Sequence, residues 1–146
     1  MPTRTARTAW NGGLNDGSGQ VELSSSKVGT YDVSFPKRAA DEAGGTTSPE
    51  ELIAAAHSAC YAMQFSAVLG EAGGTVEALD VKADVSLGPD PAGGFQLTGI
   101  ALTVSGEVSG IDEATFLKAA EDAKATCPVS KALTGVEITL HATLEQ

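Results

Sequence analysis

The cleanest alternation of apolar and polar positions lies in VEITLHATLE, near the end of the chain. Val136, Ile138, Leu140, Ala142 and Leu144 share one face, and Glu137, Thr139, His141 and Thr143 share the other. A period of two predicts a strand with one buried face. Val76–Leu87 and Phe95–Val108 alternate well enough for two long strands, joined as a hairpin by GPDPAGG (88–94). Earlier, Arg4 to Trp10, Gln20–Ser25 and Thr30–Phe35 read as a small antiparallel meander, with GGLNDGSG (12–19) as a loop tolerant of positive φ. Pro36 stops strand pairing, and PKRAADEAGGTT (36–47) reads as an irregular polar loop.

Helical signals separate the strands. Ser48 is a suitable N-cap, Pro49 suits the first helical position, and Glu51 completes a capping box. The pattern continues through LIAAAHSACYAMQFSAVLGEA to a stop at Gly73-Gly74, about 24 residues, nearly uncharged in the middle. A helix that apolar around its circumference has to be buried on several sides. Asp112 caps a second helix, roughly Glu113 to Ala125, and Pro128 opens a short third one. The order β-β-β-α-β-β-α-α-β predicts an α+β fold with mainly antiparallel sheet and one long central helix.

Composition narrows the function. At 146 residues the chain has room for one domain, 1–146, with a real core. A net charge of −10 argues against nucleic acid and against an anionic membrane surface. No apolar run approaches the roughly 20 residues needed to span a bilayer, and MPTRTARTAW lacks the core of a secretory signal. The expected compartment is the cytosol. There, two cysteines are more often catalytic, redox-sensing or metal-binding than structural.

Cys127 precedes Pro128 and so becomes the N-cap of the short helix, where backbone N–H groups and the helix dipole favour a thiolate. Lys124 and Lys131 flank it. Cys60 lies about three turns into the long helix and has no such help. Read alone, it is a small apolar core residue or a nucleophile activated from elsewhere in sequence. Arg38, beside Lys37, is the cation placed to do this, because a guanidinium holds a thiolate and a carboxylate at once. Glu50 is the carboxylate placed to orient it, although both could be ordinary surface charges. Glu50 and Cys60 are ten residues apart, about 15 Å along one helix. Two copies crossing antiparallel near Ala54, Ala55 and Ala56 would bring Glu50 of one close to Cys60 of the other, which predicts an obligate homodimer.

Two motifs carry a family resemblance. TTSPEELIAAAHSACYAM, with TCPVSKAL 67 residues after the first cysteine, resembles the OsmC/Ohr superfamily of thiol peroxidases, and the likeness covers essentially the whole chain. Ohr proteins carry their active-site arginine in the early glycine-rich loop. NGGLNDGSGQ (11–20) has none, and Arg38 stands where the OsmC branch would have it. The resemblance implies an OsmC-like fold in an intertwined homodimer. It implies peroxidase activity on organic hydroperoxides and hydrogen peroxide, with no cofactor and an external dithiol as reductant. Cys60 would be the peroxidatic and Cys127 the resolving cysteine, with Arg38 and Glu50 as the activating pair. Leu52, Ile53, Tyr61, Met63 and Phe65 would supply an apolar mouth. Two other readings are a metal site of His57, Cys60, Cys127 and His141, which no CxxC or HExxH motif supports, and a non-catalytic dimeric binding module.

Overall fold

The alternating segments fold as strands. In a computed structural model that describes residues 1–145, β1 is Arg7–Asn11, β2 Ser18–Glu22, β3 Thr30–Val33, β4 Thr75–Pro89, β5 Phe95–Ser109 and β6 Ile138–Leu144. Among the described residues the helices are α1 Phe35–Arg38, α2 Pro49–Glu71, α3 Glu113–Thr126 and α4 Pro128–Ala132. Contacts divide the chain into two units, Met1–Leu52 and Ile53–Gln146, and the first turn of α2 belongs to the former.

In the first unit, β1-β2-β3 form an antiparallel meander, with Arg7 opposite Glu22 and Gly19 opposite Val33. The β1–β2 loop closes because Asp16 Oδ1 accepts from the Gly13 N–H at 2.8 Å and Gly17 donates to the Gly13 carbonyl. A Cβ on Gly17 would sit 2.3 Å from that carbonyl, so only glycine fits. The sheet has little core of its own. Val21 is the one apolar side chain buried in this unit among the described residues, and all five positions of β1 are exposed. The segment after β3 is not wholly irregular, as the sequence had suggested. Ser34 Oγ accepts from the Lys37 N–H at 3.3 Å and nucleates α1. Pro36, which ends the strand, is tolerated in a first helical turn because its missing N–H would have no partner there.

Ser48 caps α2 as expected, accepting from the Glu51 N–H at 3.1 Å. The return half of the capping box is absent, because the Glu51 carboxylate takes the Thr47 hydroxyl instead, at 2.5 Å. At the other end Gly73 adopts φ 91° and Gly74 N–H reaches the Leu69 carbonyl at 2.9 Å, closing the helix in a Schellman turn.

The second unit is built on the sheet β4-β5-β6. The β4–β5 hairpin is antiparallel, whereas β6 pairs parallel to β5, Ile100 with Ile138 through Gly106 with Leu144. Parallel pairing needs a crossover, and α3 and α4 supply it. The core joins Tyr61, Phe65 and Leu69 of α2 to Phe116, Ala119, Ala120 and Ala123 of α3 and to Leu102 and Val104 of β5. Ile138, Leu140, Ala142 and Leu144 pack against it, on the face their alternation had marked. The Phe65 and Phe116 rings stand 5.2 Å apart and tilted, a favoured aromatic geometry. Phe116 lies so close to Gly106 that a Cβ there would be 2.9 Å from the ring.

Within one chain α2 is buried along a single stripe, His57, Tyr61, Phe65 and Leu69 at intervals of four. Ala55, Ala56, Ala59, Met63 and Ala67 stay exposed, so the burial on several sides that its composition demands is not met by this chain alone. By length and composition α2 is apolar enough to cross a bilayer, against the expectation that no run approaches that length, because its few charges all lie at its ends. Its buried stripe packs into a protein core.

Candidate active site

The two cysteines meet inside the second unit. Cys60 comes from the middle of α2 and Cys127 from the junction of α3 and α4, where it caps the former and precedes the latter. Their sulfurs lie 3.1 Å apart, share a hydrogen bond and are both free thiols. They would need to approach by roughly 1 Å to form a disulfide. Cys127 is fully buried, whereas Cys60 is half-buried.

The surroundings treat the two thiols differently. Burial pushes the Cys60 thiol up, and sharing a hydrogen bond with Cys127 pushes it further, against a smaller opposing effect of the Val129 N–H. Burial also opposes ionisation of Cys127. There it is outweighed by the Ser130 N–H, the hydrogen bond with Cys60, the Ser130 hydroxyl and the Val129 N–H, so this thiol lies below its ordinary value. The backbone N–H groups expected at this helix start do act on the sulfur, joined by the Cys60 thiol and the Ser130 hydroxyl. Lys124 and Lys131 are not among the causes, and α4, five residues long, has little dipole of its own.

Around this pair, Tyr61 donates to the Ala120 carbonyl at 2.8 Å and ties α2 to α3. Burial, Glu121 and Cys127 together raise its phenol far above the ordinary value, so it stays neutral. His57 is fully buried, with Nε2 2.7 Å from Ser130 Oγ. His141 lies on the exposed face of β6, and among the described residues no three His, Cys, Asp or Glu converge as metal ligands.

Arg38 and Glu50 meet inside the first unit. The guanidinium grips the carboxylate with Nη2 at 2.7 Å from Oε1 and Nε at 3.0 and 3.1 Å from its two oxygens. Glu50 is 7% exposed. Burial opposes its charge, but the Arg38 guanidinium, its own backbone N–H and the Ser48 hydroxyl overcome this and hold the carboxyl below its usual range. Arg38 also lines an apolar concavity of about 340 Å³ with Trp10, Leu14, Val21, Phe35 and Leu52.

The apolar mouth expected from sequence is therefore only partly right. Leu52 lines this concavity, Met63 is exposed, and Ile53 is half-buried. Tyr61 and Phe65 are core residues, because they fall on the same stripe of α2 as Leu69. Ser130 was missed, although its place three residues after a helix-starting cysteine is a usable signal.

The profile of the OsmC-like protein family matches residues 41–141, a span containing both cysteines and Glu50. Over 136 residues the chain is 45% identical to a protein called Peroxiredoxin OsmC from Escherichia coli (strain K12), covering 93% of this chain and 92% of the relative. Among solved structures, an organic hydroperoxide resistance protein OsmC from Legionella pneumophila superposes with a TM-score of 0.75 at 27% identity, covering 100% of this chain and 98% of the other. The organic hydroperoxide resistance protein OhrB of Bacillus subtilis does so with a TM-score of 0.72 at 27% identity, covering 97% and 98%.

Proposed function

Because this chain belongs to the OsmC-like family, we propose that it is a thiol-dependent peroxidase that reduces organic hydroperoxides and hydrogen peroxide in defence against oxidative stress. The observation that carries this reading is the pair of free thiols 3.1 Å apart with unequal exposure. The Cys60 thiolate attacks one peroxide oxygen, the O–O bond breaks, and the alkoxide or hydroxide leaves to take up a proton. Cys60 is then a sulfenic acid. The Cys127 thiolate attacks its sulfur, hydroxide departs, and a disulfide forms as the two sulfurs close the remaining distance of roughly 1 Å. An external dithiol exchanges with that disulfide and restores both thiols. No cofactor takes part.

The first step needs charge on Cys60, yet the groups of its own unit favour charge on Cys127. A cation must reverse that order. Arg38, fixed by Glu50, is the cation we assign, supplied to Cys60 by a second copy of the chain in a homodimer. Three features support the dimer: the exposed alanine face of α2, the wholly exposed β1, and a first unit with one buried apolar side chain. The apolar concavity beside Arg38 fits the organic group of a hydroperoxide. The reducing cytosol would keep the dithiol form available.

A single turnover with hydrogen peroxide or cumene hydroperoxide tests this. The wild type should consume one peroxide and lose two free thiols per chain, and Cys60→Ser should consume none. Peroxide consumption by Cys60→Ser at the wild-type rate would overturn the assignment.

A further inference from the structure

His57 and Ser130 form a buried polar pair beside the thiols that the steps above leave unused. His57 is 0% exposed and Ser130 4%, and Nε2 to Oγ is 2.7 Å. The other ring nitrogen, Nδ1, is buried without a partner. Burial lowers the proton affinity of His57, so the ring is neutral and has one N–H to place. A buried N–H without an acceptor is costlier than a bare ring lone pair. The hydrogen therefore belongs on Nε2, which donates to Ser130 Oγ and leaves Nδ1 bare. Having accepted from the ring, the Ser130 hydroxyl keeps its own hydrogen to offer, and Ser130 stands three residues after Cys127 in the first turn of α4, on the side of the helix that Cys127 opens.

The geometry points to His57 and Ser130 as positioning residues that hold Cys127 ready to depart as a thiolate when a dithiol reduces the Cys60–Cys127 disulfide. This role rests on the peroxidase reading. Cys127 is buried and Cys60 half-buried, so the incoming thiolate attacks Cys60 Sγ. The S–S bond breaks, its electron pair leaves on Cys127, and a mixed disulfide with Cys60 remains. The second thiol of the reductant displaces Cys60, giving the oxidised reductant and two protein thiols. A lower proton affinity of the departing thiol speeds the first displacement. The titratable groups that bear on the Cys127 sulfur are Cys60 and Tyr61 of α2; His57 reaches it only through Ser130, and Glu121 of α3 bears on the Tyr61 phenol.

The test follows thiolate absorbance at 240 nm against pH in a Cys60→Ser background, where Cys127 titrates alone. Ser130→Ala and His57→Leu should each raise its midpoint by about one unit. His57→Gln, whose amide N–H can replace Nε2–H, should keep it. In the two-cysteine protein, dithiothreitol should reduce the disulfide several-fold more slowly in the first two variants and at the parent rate in His57→Gln. An unchanged midpoint in Ser130→Ala overturns the proposal, as does a His57→Gln midpoint displaced as far as that of His57→Leu. Ser130→Ala removes one oxygen from a short helix, so it stays decisive if His57→Leu does not fold. The titration uses no peroxide, so the pair can fail here while the peroxidase stands, or hold while turnover fails.

Discussion

Glu50 and His57 answer acid in the same direction for different reasons. The carboxyl of Glu50 is held below its reference value of 4.5 by Arg38 despite burial, so its stabilisation is present above that value and is lost as pH falls through the lower folded one. His57 is depressed from 6.5 by burial alone, and its neutral form is compatible with the fold above that value. Stability is lost as pH falls from there through the folded value, because the unfolded chain takes up the proton first. Urea unfolding between pH 8 and 3 should therefore show two successive losses. His57→Gln should flatten the one beginning near 6.5, and Glu50→Gln the one beginning near 4.5. A slope unchanged in either variant would contradict the cause given for that residue. The pairing of Arg38 with Glu50 was legible because cations are few and one lies just before the capped helix. The place of Ser130 after a helix-starting cysteine was legible, but its partner was not, since that is a histidine 73 residues away. Tyr61 and Phe65 were misplaced because composition cannot fix the rotational phase of a helix apolar on all sides.

Elements tell a similar story, with α2 at its centre. Caps and stops fixed its ends in the sequence, and alternation fixed the inner faces of the strands. Alternation says which face of a strand is buried but not which neighbour it pairs with, so the parallel partnership of β6 with β5 was not legible. Nor was α1, because proline marks a strand stop and a helix start equally well. The exposed alanine face of α2 makes a prediction at this scale. Ala56→Arg places a long cation where two helices would cross closely and should convert the proposed dimer to monomer in sedimentation velocity at micromolar concentration. On the proposed arrangement peroxidase turnover should fall more than tenfold, because Cys60 would then lack the Arg38 of a second copy. A stable dimer with full activity would locate the contact elsewhere.

On the scale of the whole molecule, two chains of net charge −10 repel as they approach. The proposed homodimer would therefore rest on apolar burial, and screening should help it, since the Debye length shrinks from about 30 Å at 0.01 M salt to about 10 Å at 0.1 M. The dimer dissociation constant should fall several-fold over that range, and a rise would mean that attraction between charges governs the contact. The parallel strand also imposes an order of assembly. The β4–β5 hairpin closes through contacts local in sequence, whereas β6 can register on β5 only after the α3–α4 crossover has been laid down. Until then one edge of β5 is open to other chains, and the core cluster that holds Cys127 lacks the packing of Ile138, Leu140, Ala142 and Leu144. A growing chain is thus exposed to the oxidants it would later remove, and the dithiol becomes a controlled reagent only with the last strand in place.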